Sequence, residues 1–271
     1  SEFPFIIRSE FPSEEEQYRI YRRVVEEMGD AEVVFRTLDI GGDKMLSYFP
    51  VHTEDNPFLG LRAIRFSLRY RDLFGQQLRA LLRTGHGREL RIMFPLVSSV
   101  DDLFAVREVV SSCLKDLADE EIPHNPAPQL GVMVELPAAV EVIDALAAAA
   151  DFLCVGSNDL VQYMLAVDRT NQHISDHYIP YHPAVLSALR RIVEAAARAG
   201  KPLSICGELA ADQRILPFLI GVGYRTFSVN PRALPRVKRF IRECTGDVCR
   251  ARAQQLLRLS LIREIEAVLE E

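Results

Sequence analysis

The chain has 271 residues, of which 48% are hydrophobic and 26% charged, with a net charge of −6 and no tryptophan. That is ample for one large domain around a sizeable core, and an α/β barrel of about 250 residues is an ordinary single-domain case. Lys and Arg are scattered among Asp and Glu, no apolar stretch reaches about 18 residues, and no basic segment leads into an apolar one at the N-terminus; neither nucleic acid, an anionic membrane surface, a membrane span nor a secretory signal is expected.

In chain order, the predicted strands are Val33–Ile40, Leu90–Val97, Leu130–Leu136, Phe152–Gly156, Leu203–Gly207 and Thr226–Asn230. Each is a short apolar run without strict alternation, as expected of strands buried on both faces of a parallel sheet. Helical patterns separate them. Ser13 with Glu16 and Ser99 with Asp102 make capping boxes, Pro183 and Pro231 suit first helical turns, and a last charged and aliphatic helical stretch covers Asp247–Glu270. Repeated strand–helix units build either an open doubly wound sheet or a closed (β/α)8 barrel. No glycine-rich nucleotide fingerprint occurs, whereas a polar or reactive residue ends nearly every strand: Arg36 and Asp39, Glu135, Asn158 and Asp159, Cys206 and Glu208. In a barrel those ends converge on one face, so the barrel is the expected architecture.

Two constellations carry chemistry. Glu135 and Asp159 end two buried strands in carboxylates. Singly, an acid at such a turn usually caps the next helix; two of them beside arginines can share a hard divalent cation, Mg2+ or Mn2+, with room left for water. Arg36 lies in a strand that otherwise reads as core, Arg62 follows "NPFLGL" and Arg169 ends "LAVDR". A buried guanidinium is costly unless an anion pairs with it, so the arginines point to a small phosphorylated, carboxylated ligand. Arg65, Arg69 and Arg71 read instead as surface ion pairs on one amphipathic helix. The five cysteines include no CxxC pair and read as reduced thiols of a cytoplasmic protein. His173 and His177 stand four apart in "HISDH", within a stretch that reads as an irregular connection, and the other histidines have no partner pattern.

At this point the motifs carry a resemblance. "RTLDIGGDK" (36–44), "NPFLGLRAIR" (56–65), "GVMVELPAA" (131–139), "VGSNDLVQYMLAVDR" (155–169) and "CGELA" (206–210) resemble the phosphoenolpyruvate (PEP)-binding C-terminal domain of phosphoenolpyruvate–protein phosphotransferase, Enzyme I of the bacterial phosphotransferase system, nearer its nitrogen-related branch. The likeness covers essentially the whole chain, 1–271, read as one PEP-binding barrel domain. It implies that Glu135 and Asp159 hold Mg2+, that Arg36, Arg62 and Arg169 grip the phosphate, that Asn158 and Asp159 contact substrate, and that Cys206 protonates the enolate. Lys44 is implied to approach the phosphate from a loop. It further implies a homodimer, a phosphohistidine on a separate N-terminal domain, and a histidine phosphocarrier protein as partner.

The chain departs from that family in two respects. The family's phosphate-binding arginine immediately precedes the position of Ser1, and six strands are counted where a full barrel has eight, which places the first two upstream of an N-terminally truncated polypeptide. None of the six histidines has the glycine-rich Ser-His setting of the family's acceptor. Two other readings remain: the related domain of pyruvate phosphate dikinase or PEP synthase, which shares the "NPxLGxR" and "CGE" elements, and a PEP-sensing dimerisation module without catalysis.

Overall fold

Strands and helices alternate along the chain as the sequence predicts, giving an α/β protein of the (β/α)8 type with six βα units among the described residues. The computed structural model describes residues 5, 10–40 and 54–270. It divides into two compact units, Ser1–Val132 and Met133–Glu271.

The first unit opens with helix α1 (Glu14–Met28). Ser13 and Glu16 form the predicted capping box, the Ser13 hydroxyl accepting from the Glu16 N–H at 3.4 Å and the Glu16 carboxylate from the Ser13 N–H at 2.9 Å. Strand β1 (Val34–Arg36) pairs parallel with β2 (Arg91–Phe94), and β2 with β3 (Gln129–Val134), in the register Val34↔Arg91 and Met93↔Gly131. Helices α2 (Ala63–Arg69) and α3 (Arg71–Thr84) lie between the first two strands, and α4 (Val100–Asp119) follows β2. The second capping box, Ser99 with Asp102, opens α4. Leu78, Leu81, Ile92, Phe94, Leu103 and Leu117 are fully buried and form the core.

Strand β1 is shorter than predicted and less buried, with Val34 exposed. Beyond Arg36 the backbone leaves the ladder after the Thr37 N–H bonds the Met93 carbonyl at 3.0 Å. The next N–H, that of Leu38, bonds the Gln77 side chain at 3.0 Å. The arginines at 65, 69 and 71 do not share one helix, because the chain breaks at Tyr70 between α2 and α3. Arg65 donates to the Leu59 and Gly60 carbonyls, at 2.9 and 3.2 Å.

In the second unit α5 (Pro137–Glu141) and α6 (Ile143–Ala149) precede β4 (Phe152–Gly156), α7 (Ser157–Leu165) and α8 (Pro183–Ala199) follow it, and β5 (Leu203–Cys206), α9 (Leu216–Val222) and β6 (Thr226–Ser228) complete the alternation. β4 pairs parallel with β5, and β5 with β6, in the register Gly156↔Cys206 and Ile205↔Phe227. Every residue of β4 is buried, as a two-faced strand requires, whereas β6 is half exposed. Pro183 opens α8 as predicted.

Two predicted helix features are corrected. Pro231 lies in a turn, where the Asn230 side chain accepts from the Arg232 N–H at 3.0 Å, and α10 begins only at Leu234 (Leu234–Glu243). The stretch Asp247–Glu270 is two helices, α11 (Gly246–Leu256) and α12 (Ile262–Glu270). α11 buries Cys249, Ala253 and Leu256, and α12 buries Ile265, Val268 and Leu269. At about 100° per residue, the nine steps from Leu256 to Ile265 would put the second set on the opposite face of a continuous helix, so burying both requires a break.

Candidate active site

The predicted site residues fall into two groups, one in each unit. In the first, Arg36 ends β1 and Asp39 follows three residues later. The turn before α2 presents Arg62 as its N-cap, in extended backbone, and Ala63 at φ +51° turns the chain into the helix while its N–H bonds the Ile40 carbonyl at 3.2 Å. Arg62 is 4% exposed and Asp39 2%. They meet as a fork, Nη2 at 3.0 Å from both carboxylate oxygens and Nε at 3.2 Å from Oδ1. Arg36 Nη1 stands 3.5 Å from the same carboxylate, and the Arg62 guanidinium lies 5.8 Å from the Phe58 ring centre. A dry guanidinium needs such a partner, and a bidentate one fixes the plane of the fork.

Polar side chains buried beneath this group support it. Gln17 Nε2 donates to the Pro12 carbonyl at 2.9 Å, the Tyr21 hydroxyl to Gln17 Oε1 at 3.3 Å, and Gln77 Nε2 to the Tyr21 hydroxyl at 3.1 Å. Gln77 Oε1 in turn takes the Leu38 N–H beside Asp39. These residues come from α1 and α3, and nothing in their local sequence announces them.

The second group is denser. Glu135 follows β3 and is 1% exposed. Its carboxylate lies against Gly156 so closely that a Cβ there would stand 2.4 Å from Oε2. Gly156 is also the register partner of Cys206 and the N-cap of α7, so Glu135, Cys206 and the start of α7 meet at one strand end. Asp159, in the first turn of α7 and 6% exposed, gains from the helix dipole. The helix ends at Ala166 in the left-handed conformation, with the Val167 N–H bonded to the Gln162 carbonyl at 3.0 Å. That reversal brings Arg169 back, its N–H on Gln162 Oε1 at 3.2 Å and its Nη1 on Asp159 Oδ1 at 2.8 Å.

Asn158 is held on two sides. Its Oδ1 accepts the Glu208 N–H at 2.9 Å and its carbonyl accepts the Tyr178 hydroxyl at 3.2 Å. With the oxygen engaged, the amide NH2 is the end left to meet a ligand, which suits an anion. Burial, reinforced by the charge of Glu208, pushes the Tyr178 phenol up to about 12, so it remains a donor at neutral pH. Ser157, also buried, donates from its hydroxyl to the Cys206 carbonyl at 2.7 Å. Cys206 itself is half-buried.

Among the described residues no group of three or more His, Cys, Asp or Glu side chains could enclose a metal ion. A closed zinc-type site is thus not formed by these side chains. Glu135 and Asp159 supply two hard oxygen donors, a set that suits an octahedral cation completing its shell with water and ligand oxygens. Asp39, Ser157 and Tyr178 are the residues that sequence reasoning left out of the site; Asp39 was visible as a strand-end acid, the other two were not. Lys44 lies outside the described residues. His173 precedes and His177 ends a single 3-10 turn (Ser175–His177), and both are exposed.

Residues 1–245 match the family model described as PEP-utilising enzyme, PEP-binding domain. The chain is 41% identical over 271 residues to the phosphoenolpyruvate-protein phosphotransferase of Haemophilus influenzae, covering all of this chain and 47% of that protein. It is 41% identical over 241 residues to the protein of the same name in Staphylococcus aureus, covering 89% of this chain and 42% of the relative. Against the multiphosphoryl transfer protein of Escherichia coli O6:H1 it is 38% identical over 269 residues, 99% of this chain and 32% of the relative. The chain therefore spans less than half the length of each of these curated relatives.

Proposed function

This chain belongs to the PEP-utilising enzymes, as their PEP-binding domain, and on that premise we propose that it binds phosphoenolpyruvate with Mg2+ and serves transfer of the phosphoryl group to a histidine on a separate N-terminal domain, releasing pyruvate. The observation that carries the proposal is the strand-end cluster at Gly156. It brings Glu135, the Asp159–Arg169 pair, the Asn158 amide and the backbone of Cys206 to one strand end.

Glu135 and Asp159 would hold Mg2+, which when bound supplies positive charge to an oxyanion developing on the substrate. Arg169 and the Asn158 amide receive phosphate oxygens, and Arg36 and Arg62, aligned by Asp39, add planar donors. Lys44 is assigned to the same phosphate from its sequence position. Loss of the phosphoryl group leaves the enolate of pyruvate; Cys206 gives its proton to the enolate's methylene carbon, completing the methyl group. The phosphoryl acceptor and a histidine phosphocarrier protein complete the relay as partners, with a homodimer in the cytoplasm as the working form.

The test is calorimetric titration of the chain with PEP, with Mg2+ and with chelator. Binding is expected to weaken at least about tenfold without the metal, since no divalent charge would then offset Glu135 and Asp159 toward a carboxylated ligand, a difference of about 1.4 kcal/mol. Glu135→Ala should reproduce the effect of chelator, and equal affinity with and without Mg2+ would defeat the assignment.

A further inference from the structure

We infer that Ser157 is a positioning residue for Cys206, acting with Gly207 and the Asn158 amide to fix where the thiol stands. The inference rests on the proposed role of Cys206 as proton donor and identifies the groups that hold the donor in place.

The dipeptide Ser157–Asn158 grips the chain on both sides of Gly207. Before it, the buried Ser157 hydroxyl donates to the Cys206 carbonyl at 2.7 Å; after it, Asn158 Oδ1 accepts the Glu208 N–H at 2.9 Å. Between the two bonds Gly207 adopts φ +93°, a conformation that side-chain-bearing residues rarely take. A Cβ at Gly207 would also stand 2.3 Å from Ser157 Oγ and 2.7 Å from Asn158 Oδ1. The turn that carries Cys206 is thus closed onto the first two residues of α7, and Asp159 is the next residue of that helix. One rigid element places both the proposed cation ligand and, through Ser157, the proposed acid.

The reaction demands this placement. The Cys206 S–H bond breaks as a C–H bond forms at the methylene carbon of the enolate. The enolate's electron pair becomes the new bond, its negative charge is left on sulfur, and water then reprotonates the thiolate. A general acid must stand within hydrogen-bond reach of its carbon, and a misplacement of about 1 Å costs on the order of 100-fold in rate. A merely structural Ser157 would affect stability and leave the thiol's behaviour unchanged.

The chain and its Ser157→Ala, Ser157→Thr and Cys206→Ala variants are compared by three measurements. These are PEP affinity with Mg2+, exchange of pyruvate methyl protons into deuterium oxide with Mg2+ followed by NMR, and metal-free alkylation of Cys206 by iodoacetamide followed by peptide mass spectrometry. Ser157→Ala is expected to keep PEP affinity within about threefold, to slow methyl exchange at least about tenfold, and to change the Cys206 alkylation rate at least about threefold. Ser157→Thr, which keeps the hydroxyl, should behave as the parent chain in all three. Wild-type exchange and alkylation in Ser157→Ala, with exchange lost in Cys206→Ala, would overturn the positioning role and leave the proton donor standing. Undiminished exchange in Cys206→Ala would overturn the donor assignment and the positioning role with it.

Discussion

Removing the Asp39 carboxylate tests how the arginine group of the first unit is held. Asp39 and Arg62 are both almost fully buried, and the fork between them places Nη2 at 3.0 Å from each oxygen. In Asp39→Ala the Arg62 guanidinium stays buried without this counterion, with Arg36, whose Nη1 lies 3.5 Å from the same carboxylate, adding like charge. Deleting one partner of a buried pair costs about 3–5 kcal/mol, because the remaining charge loses a close counterion in a site that water does not reach. With a urea slope of about 2 kcal/mol per molar, the unfolding midpoint followed by circular dichroism should fall by about 1.5–2.5 M. The double variant Asp39→Leu with Arg62→Met, which removes both charges and fills the site with apolar atoms, should recover most of that loss. A midpoint for Asp39→Ala within about 0.3 M of the parent, a change of under about 0.6 kcal/mol, would refute the reasoning by showing that water reaches the guanidinium readily.

Further outcomes follow from the same geometry. Gly156→Ala would place a Cβ 2.4 Å from Glu135 Oε2 and 3.0 Å from Met133 Sδ. It should cost about 1–3 kcal/mol in stability and, by displacing the carboxylate, weaken Mg2+-dependent PEP binding at least about tenfold in calorimetry. Burial pushes the Cys113 thiol from 9.0 up to about 11, so the folded chain keeps a proton that the unfolded chain has lost. The stabilisation is complete below pH 9 and disappears as the pH rises through 11, so the melting temperature of the parent chain should fall over that window relative to Cys113→Ala, and Cys113 should resist alkylation at pH 8. Incubation of the chain alone with labelled PEP and Mg2+ should yield no acid-labile phosphoprotein, because none of its histidines has the setting of an in-line acceptor. Addition of a separately produced phosphohistidine domain should produce one, and stable labelling of a histidine of this chain would contradict the proposal.

What the sequence determined by itself was local or periodic. The capping boxes at Ser13 and Ser99 formed as read, because their bonds span three residues. Six strand-helix alternations were countable, and Glu135 and Cys206 could be placed at strand ends because an apolar run stopping at a polar residue reveals its own boundary; Asp159, read as ending its strand, instead falls in the first turn of α7, three residues beyond the end of β4. The break between α11 and α12 was legible in principle, since the phase slip between Leu256 and Ile265 is a property of spacing alone; the continuous charge and aliphatic content concealed it.

Only tertiary structure decided who holds the site residues. Asp39 meets Arg62 across 23 residues, the Leu38 backbone finds Gln77 across 39, and Ser157 reaches Cys206 across 49. Such bonds leave no periodic trace, because they depend on parallel register, here Gly156 beside Cys206, between segments joined by a long crossover and not by a short turn. The need for glycine at 156 and 207 has the same origin: Glu135 Oε2 and Ser157 Oγ occupy the space in which each Cβ would lie, and only close packing of distant segments puts them there.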